Sequence, residues 1–431
     1  MAVNVATTVK HRLPSAATRV EADIAVVGAG VSGISAALEA ARLGRRVVLI
    51  DGAPALGGQS VGAIIGTFCG LYSNGPVPHL VTHGIVDDIL RNLGNQGAIH
   101  PIRGRRNTII VQYNEMALAR WMEEAVRQAG IDIILGAVLR EVVRDGGRIR
   151  TLRLATRYGD VDVAAQGFVD ASGDAALAWL AGLPCREPDS VIYGTQMVLL
   201  EQVDEQALAV VDRTELQARL KKYGKTYGLI REDGFVFGVP GGSLALVNMT
   251  HLQAPLDPLG ASRQVLVGRA LADAMLRFLK DQYPAAFGNA RMRSYGLPGI
   301  RQTRWIVGKH HLLADEVRQG VKFADAVGRC SWPIELHHRE DGVHWEEFGD
   351  DHMHWIPLGA MVPPEADNLV AAGRCVDGDP AALSSIRVMG PCIAMGAAAA
   401  HALDLAGAGS VHQLDMAALQ RRLADNLERT D

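Results

Sequence analysis

A glycine-rich turn between a predicted strand and a predicted helix constrains this chain most. Ala22 to Val27 is apolar and predicts a buried strand, and Val31 to Leu43 carries apolar residues at helical spacing. The turn between them reads Gly28-Ala29-Gly30-Val31-Ser32-Gly33. In such a turn the first glycine permits the sharp bend, the second lets the backbone approach a diphosphate, and the third lets helix and strand pack closely. Arg46 to Ile50 predicts a second strand, which completes a βαβ unit with a right-handed crossover.

Asp51 follows the second predicted strand and strengthens the interpretation of the turn as a dinucleotide site. A carboxylate at this distance from the turn can accept hydrogen bonds from a ribose diol. The helix N-terminus offers unpaired N–H groups and the positive end of its dipole to the diphosphate. We therefore predict that a dinucleotide contacts Gly28, Gly30, Val31, Ser32, Gly33 and Asp51. The turn alone does not distinguish FAD from NAD.

Composition excludes several other classes of protein. The chain has 431 residues and a net charge of -4, and no basic run indicates nucleic acid or an anionic membrane as a partner. Its start has no secretory signal pattern, and the apolar stretch from Met389 to Ala400 is short for a membrane span. The five cysteines form no Cys-x-x-Cys pair or zinc pattern, which favours a reducing compartment. We expect a cytoplasmic protein that acts on a small molecule.

Three later segments carry a resemblance to a known group of flavoproteins. They are Leu56-Gly57-Gly58-Gln59-Ser60, the stretch Val169-Asp170-Ala171-Ser172-Gly173-Asp174-Ala175, and a C-terminal part that includes Asn368 to Cys375, Ser385 to Met389 and Gly396 to Ala398. Taken in order, they resemble bacterial FAD-dependent oxidoreductases of the glutathione-reductase and fumarate-reductase type. Ser172 stands where that family usually has Thr, and Asp51 where Glu is more common. The resemblance implies that the dinucleotide is FAD.

The resemblance also implies which residues hold the flavin. The strand end at Ser172 to Asp174 would reach the ribityl-phosphate region, and Gly373 would let the chain pass close under the ring system. The N–H groups of Val388 to Gly390 would face the pyrimidine edge of the flavin, with Pro391 in the first turn of the last helix. The full set of expected FAD contacts beyond the first βαβ unit is Gly57, Gly58, Gln59, Ser60, Val138, Ala171, Ser172, Gly173, Asp174, Gly373, Arg374, Arg387, Val388 and Met389.

The predicted fold is an α/β fold with a discontinuous cofactor domain. Residues 20–184 and 356–431 would form a Rossmann-like FAD-binding domain with a parallel sheet in three layers. The mixed pattern of residues 185–355 predicts an inserted α+β substrate domain. Ile386 to Leu405 predicts an Ala-rich buried helix at the C-terminal end of the cofactor domain.

Candidate catalytic residues come from the predicted insert. Arg301 and Arg304 are spaced to share a helical face, where they could hold a carboxylate or polarise a carbonyl; surface ion pairs are the alternative. His338 and His354 are the candidates for an acid or base, although an exposed polar segment explains the histidines equally well. His352 and His354 on one strand would face the same side, but the metal-site interpretation lacks further ligands. Cys69 could act as a thiolate or attach the flavin, but a small buried residue explains it better.

Three functions remain open on the sequence alone. The first is a dehydrogenase or oxidase that transfers a hydride from a small organic substrate to FAD. The second is a flavin monooxygenase that uses NAD(P)H, and the third is a redox-neutral flavoprotein such as a hydratase, an isomerase or a flavin-binding module. The substrate, the electron acceptor and the oligomeric state, a homo-oligomer included, are not determined by the sequence.

Overall fold

The computed structural model describes residues 7–10, 16–104, 108–239 and 242–430. In chain order its strands are β1 (Thr18–Val27), β2 (Val47–Asp51), β3 (Thr67–Phe68), β4 (Ile99–Arg103), β5 (Ile109–Tyr113), β6 (Asp132–Leu135), β7 (Val138–Asp145), β8 (Arg148–Thr156), β9 (Gly159–Asp170), β10 (Cys185–Arg186), β11 (Val198–Glu201), β12 (Phe235–Val239), β13 (Leu244–Asn248), β14 (Arg291–Tyr295), β15 (Trp305–Ile306), β16 (Ala326–Cys330), β17 (Ile334–Leu336), β18 (His344–Glu346), β19 (His354–Pro357) and β20 (Leu369–Ala371). Its helices are α1 (Val31–Arg42), α2 (Gly58–Gly62), α3 (Ile85–Asn95), α4 (Glu115–Gln128), α5 (Ala176–Leu180), α6 (Glu205–Ala209), α7 (Arg213–Tyr223), α8 (Pro258–Gln282), α9 (Pro284–Phe287), α10 (Ala314–Gln319), α11 (Pro380–Ile386), α12 (Met389–Ala406), α13 (Met416–Arg422) and α14 (Ala424–Glu428).

A mixed sheet with a parallel centre organises the cofactor domain. Its strands follow the order β6-β2-β1-β9-β8-β7, and β20 also pairs with β9. β6, β2, β1, β9 and β20 are parallel neighbours, whereas β7, β8 and β9 form an antiparallel meander. The βαβ unit of β1, α1 and β2 lies at the middle of this sheet, as the glycine turn predicts. The predicted α/β class with a parallel sheet is therefore confirmed.

The central strands of the sheet have no exposed face, which explains their apolar sequence. Val26, Leu49 and Phe168 are fully buried, and helices α1 and α12 pack against each other beside the sheet. Sheets covered on both faces select continuous runs of Val, Ile and Leu, and this is the pattern from which the strands were predicted. The packing aligns the carboxyl ends of β1, β2, β9 and β20 at one edge.

Residues between β10 and β15 form a second sheet with its own core. The sheet has the order β12-β13-β11-β14 and is antiparallel. Apolar residues of α7, α8 and α9 cover it, with Phe278 and Phe287 fully buried. The segment from Trp305 to Ile356 packs instead against the core of the cofactor domain. This distribution of cores favours an insert shorter than the predicted 185–355, whose boundaries stay a prediction.

The C-terminal apolar stretch is divided differently from the prediction. One helix was predicted from Ile386 to Leu405, but α11 ends at Ile386 and α12 begins at Met389. Val388 between them has an extended backbone, with φ -70° and ψ 163°, which breaks the helical hydrogen-bond pattern. Pro391 does lie in the first turn of α12, where its missing N–H has no cost.

Helix α12 is the one described helix that is long and apolar enough to cross a membrane, at 18 residues and a mean hydropathy of 1.2. The apolar stretch is therefore longer than the sequence interpretation assumed. In the structure 72% of the helix is buried, and it packs against α1 and β16. These contacts make it a core helix of the cofactor domain.

Candidate functional site

Four parallel strands end at the rim of one cavity of about 770 Å³. The first residues after β1, the end of β2 and the first residues after β9 and β20 all line it. Helices α1 and α12 begin at the same rim, and neither has a side-chain cap at its N-terminus. Ligands of open α/β sheets bind outside the carboxyl ends of the strands, so this rim is the expected site.

Glycine is required at two positions of the first turn. Gly28 has φ +105°, and a Cβ there would overlap the backbone of Ala171 at the end of β9. A Cβ on Gly33 would overlap the carbonyl oxygen of Gly28. These close contacts hold β1, α1 and β9 against one another. Gly33 does not line the cavity itself, but it permits the packing that forms the cavity wall. The prediction that these glycines permit a tight turn and close packing is confirmed.

Asp51 lies at the cavity rim, and its carboxylate accepts hydrogen bonds from the backbone of its own domain. Its Oδ2 accepts a hydrogen bond from the N–H of Ala29 at 2.5 Å, and its Oδ1 accepts one from the N–H of Ala53 at 2.7 Å. Each carboxylate oxygen can accept a second hydrogen bond. The carboxylate therefore fixes the glycine turn and keeps acceptor capacity towards the cavity, where a ribose diol would donate.

The loop after β2 docks on the glycine turn. Gly57 is left-handed, with φ +101°, and its N–H donates to Ala29 O at 2.8 Å. Gly58 follows so closely that a Cβ would come within 2.9 Å of the Gly30 Cα. Gly58, Gln59 and Ser60 line the cavity, whereas Gly57 supports them from behind. The predicted segment therefore contributes to the site as a unit.

The end of β9 is held in place by a buried carboxylate. Asp170 accepts hydrogen bonds from the N–H groups of Ser172, Leu177 and Ala178. Burial raises the pKa of Asp170, although these hydrogen bonds oppose the rise. This anchor presents the four residues of the predicted strand-end motif, Ala171, Ser172, Gly173 and Asp174, to the cavity.

The C-terminal segment contributes a cationic wall. Arg374 Nη2 lies 3.6 Å from Asp174 Oδ1, and its Nη1 is buried without a hydrogen-bond partner. Gly373 does not line the cavity; a Cβ on it would overlap Ser32 Oγ, so it allows β20 to approach α1. Arg387, Val388 and Met389 line the cavity at the start of α12. The N–H of Gly390 donates to Cys69 O at 3.0 Å, so it is not available to a flavin as predicted.

Two observations test whether a dinucleotide diphosphate fits this rim. A Cβ added to Gly30 would meet no atom within 4 Å, so the backbone at the start of α1 faces open space. Arg374 supplies an unpartnered guanidinium nitrogen to the same cavity. An uncapped helix N-terminus and a free guanidinium N–H are donors that suit an anionic diphosphate. The residues present therefore fit the group.

The same cavity continues into a polar chamber that the sequence did not predict. The chamber is the part of the cavity lined by Arg231, Asp233, Phe235, Asn248, Arg301, Trp332, Glu335 and Trp345. Arg231 is 2% exposed and bonds to Asp233 at 2.6 Å and to Asn248 at 2.5 Å. These residues come from segments far apart in the chain, so no local motif could reveal them. The signals in the sequence were Arg301, already a candidate, and the cluster of histidines and tryptophans around Glu335.

Arg301 and Arg304 do not share a helical face, because residues 301–304 are not helical. Arg301 lines the chamber, and its Nη1 donates to Tyr193 O at 2.7 Å. Arg304 pairs with Glu187 at 3.0 Å and lies over the Trp179 ring. Burial, with the nearby guanidiniums of Arg231 and Arg387, lowers the pKa of Arg301 to about 9.

Neither predicted histidine lines the cavity. His338 is exposed, and its buried neighbour His337 contacts Glu335 instead. His354 is buried between His352 and Ser385, at 3.2 and 3.0 Å, and burial lowers its pKa to about 3. His352 and His354 do meet, but no group of three or more potential ligands gathers around a metal position in the described residues.

Val138 and Cys69 complete the set of predicted positions. Val138 begins β7, is 62% exposed and does not line the cavity. Cys69 lines the cavity beside Cys392, and burial raises the pKa of its thiol. A thiol that resists ionisation is a poor nucleophile, which agrees with its interpretation as a small packed residue.

The α/β fold, with one cavity that runs from the N-terminus of α1 to the N-terminus of α12 at the carboxyl ends of the strands, is that of a dinucleotide-binding enzyme. The chain belongs to the FAD dependent oxidoreductase family, whose model matches residues 23–423. Its cofactor is therefore FAD, and the resemblance to FAD-dependent oxidoreductases seen in the sequence is confirmed.

The chain is similar to several solved structures at low sequence identity, and one of them has a TM-score above 0.5. A geranylgeranyl bacteriochlorophyll reductase-like protein from Thermoplasma acidophilum is 14% identical, with a TM-score of 0.51 and coverage of 96% of this chain and 85% of that chain. The flavin-dependent brominase Bmp2 is 13% identical, with a TM-score of 0.46 and coverage of 94% and 83%. CabE, an aromatic hydroxylase from angucycline biosynthesis, is 11% identical, with a TM-score of 0.46 and coverage of 94% and 68%. No curated protein matches the sequence.

Proposed function

We propose that this protein is a dehydrogenase or oxidase that transfers a hydride from a small organic anion to FAD. The observation that carries the proposal is the continuous cavity, whose chamber holds Arg231 and Arg301, with Arg387 beside it at the start of α12. We further propose that the enzyme acts in the cytoplasm, since its five cysteines are free.

The charge balance of the chamber favours an anionic substrate. Arg231 is neutralised by Asp233, but Arg301 and Arg387 donate to backbone carbonyls, at Tyr193 and Glu335 respectively. A buried guanidinium without a paired carboxylate is costly, and a substrate carboxylate would relieve that cost. The lowered pKa of Arg301 reflects the same unfavourable charge concentration.

The protein residues bind and orient the substrate, and bound FAD supplies the hydride acceptor. Arg301 would grip the substrate carboxylate through its free guanidinium edge. The rings of Trp332, Trp345 and Phe235 form apolar walls that exclude water from the reacting carbon. In this arrangement the arginines would bind the anionic group of a small substrate, and its oxidisable carbon would lie towards the flavin end of the cavity.

Anaerobic reduction of the flavin tests the proposal. Purified holoenzyme is mixed with a panel of 2-hydroxy acids, amino acids and dicarboxylates, without NAD(P)H, and the flavin absorbance is followed. Bleaching of the oxidised flavin band by an anionic member, but not by its neutral amide or ester, is the expected result. A requirement for both NAD(P)H and oxygen would support the monooxygenase alternative instead. Turnover that needs reduced flavin without net electron transfer would support a redox-neutral enzyme.

The role of Arg301 has a matched control three residues away. Removing a charge-assisted hydrogen bond costs about 1.5–3 kcal/mol, which corresponds to a loss of substrate affinity of roughly 10- to 150-fold. Arg301→Gln should therefore raise KM by that factor while FAD content stays unchanged. Arg304→Gln removes an arginine that pairs with Glu187 outside the cavity, and it should leave KM within about twofold. Equal effects of the two substitutions would refute the assignment.

A further inference from the structure

Glu335 occupies the junction between the chamber and the flavin end of the cavity. It lies on β17 and lines the cavity, and its backbone carbonyl accepts a hydrogen bond from Arg387 Nη2 at 3.0 Å. Arg387 directly precedes Val388 and Met389, the residues at the start of α12 that face the flavin site. Gly70 packs against the same residues, since a Cβ on it would lie 2.6 Å from Val388 Cγ2 and 3.6 Å from the Trp332 Cβ. Glu335 is therefore fixed beside the place where substrate and flavin must meet.

Two N–H donors hold the carboxylate of Glu335. Trp332 Nε1 donates to Oε2 at 3.0 Å, and His337 Nε2 lies 3.0 Å from Oε1. Burial and the charge of Arg301 hold the pKa of His337 well below its ordinary value, so its ring is neutral. A carboxylate accepts hydrogen bonds, so the neutral ring must carry its proton on Nε2. Each oxygen of Glu335 keeps one further acceptor position for a substrate.

The other groups around the chamber are poorer proton acceptors. The second carboxylate, Asp233, is bonded to Arg231 at 2.6 Å and to the N–H of Val343 at 2.9 Å. Burial favours its protonation, but Arg231 outweighs burial and lowers the pKa of Asp233. A carboxylate held in its charged form by an ion pair is a weak base.

The charged and titratable side chains that face Glu335 come from four segments of the chain. They are Arg387 after α11, Arg301 before β15, Cys69 after β3 and His337 directly after β17. The arginines stay charged, the thiol pKa is raised by burial, and the pKa of His337 is lowered by burial. Among these groups, Glu335 is the carboxylate that lines the cavity and accepts hydrogen bonds from Trp332 and His337 rather than from an arginine.

We propose that Glu335 is the catalytic base of the reaction and that His337 positions it; the proposal rests on the proposed hydride-transfer function. For a substrate carbon that bears a hydroxyl or an amine, the O–H or N–H bond breaks towards Glu335, which becomes a neutral carboxylic acid. The C–H bond would break with its electron pair, which bound FAD would accept as a hydride, and the carbon would form a double bond to oxygen or nitrogen. One proton and one hydride leave the substrate, so the substrate is oxidised by two electrons and FAD is reduced by two.

Glu335→Gln tests the base directly. The probe is the member of the anionic panel that reduces wild-type flavin fastest, and the measurement is the anaerobic stopped-flow rate of flavin reduction. A general base contributes about 10²- to 10⁴-fold, so the rate should fall by that factor while FAD content and melting temperature stay close to wild type. Glu346→Gln is the control, because Glu346 lies on the paired strand β18 and bonds to Arg318 outside the cavity. Its rate should stay within about twofold of wild type.

The positioning role of His337 has a separate readout. His337→Phe removes the N–H donor that favours the charged carboxylate, so the acid limb of the profile of kcat/KM against pH should move to higher pH. The limb should disappear in Glu335→Gln. Glu335→Asp, a shorter base, should retain the limb and recover at least tenfold of the lost rate, which guards against misfolding of the Gln variant.

The outcomes separate the two proposals. A Glu335→Gln enzyme that is reduced at the wild-type rate overturns the base assignment and leaves the hydride-transfer function standing. An unchanged acid limb in His337→Phe overturns the positioning role. Failure of every panel member to reduce wild-type flavin refutes the proposed function, and the base assignment fails with it.

Discussion

Replacement of Gly30 by valine should remove FAD from a protein that still folds. Gly30 is the N-cap of α1, with φ -72° and ψ -178°, an extended conformation that any residue can adopt. An added Cβ would meet no protein atom within 4 Å, so the apo fold has room for the side chain. Valine is a poorer N-cap than glycine, and the cost to the apo protein should stay near or below about 1 kcal/mol.

The effect on FAD follows from the direction in which the new side chain would project. The open space at Gly30 belongs to the cavity, so the isopropyl group would occupy the volume assigned to the diphosphate. The diphosphate would lose about two charge-assisted hydrogen bonds from the helix N-terminus, each worth about 1.5–3 kcal/mol. The sum of about 3–6 kcal/mol corresponds to a Kd for FAD about 10²- to 10⁴-fold higher.

The assay titrates apo protein with FAD and follows the change in flavin fluorescence. Melting temperatures measured with and without FAD report the same interaction, because ligand binding to the folded state raises stability by mass action. Gly349→Val is a matched control: Gly349 is exposed, outside the cavity, and a Cβ there also meets nothing within 4 Å. A Gly30→Val protein whose Kd for FAD lies within about threefold of wild type would refute the placement of the diphosphate.

Three further predictions concern stability and flavin attachment. Burial lowers the pKa of His251 and His354 to about 3, from 6.5 in the unfolded chain. Below pH 6.5 the unfolded state therefore binds more protons than the folded state, and the folded state loses stability as the pH falls. Each should contribute about 2 kcal/mol of loss between pH 7 and pH 5, so the melting temperature of His354→Gln should fall less over that range than that of wild type. Asp170→Ala leaves three buried N–H groups without their acceptor and should destabilise the fold by about 3 kcal/mol or more in chemical denaturation, whereas a cost below 1 kcal/mol would contradict the anchor. The Cys69 thiol has a raised pKa, so acid precipitation should release all the FAD into the supernatant; flavin that stays in the pellet would show covalent attachment.

The sequence determined the cofactor half of this protein because its signals are local. The turn from Gly28 to Gly33 must bend sharply, approach a diphosphate and pack against β9, and few residues other than glycine satisfy all three requirements. Buried parallel strands select apolar runs, so β1, β2 and β20 were visible as strands before any contact was known. The order of these segments was enough to indicate FAD and the family.

The sequence failed where a residue acts through partners distant in the chain. Arg301 and Arg304 look alike three positions apart, yet the fold directs one into the chamber and the other to Glu187 on the outside. His338 was a candidate from the sequence, yet it is exposed, whereas its neighbour His337 is buried against Glu335. Which of two adjacent residues after a strand is buried depends on packing that the sequence does not show.

Only the tertiary structure brought the chamber together. Arg231, Arg301 and Glu335 come from three separate segments and meet because the second sheet and the loops before β15 and β17 close over the flavin end of the cofactor domain. The burial and charge environment of a side chain at such a site depend on that closure. The sequence cannot distinguish an arginine on an exposed loop from one that lines a chamber. The glycine turn therefore indicated a dinucleotide site, and the packing of the second sheet and these loops on the cofactor domain decided which side chains line the chamber.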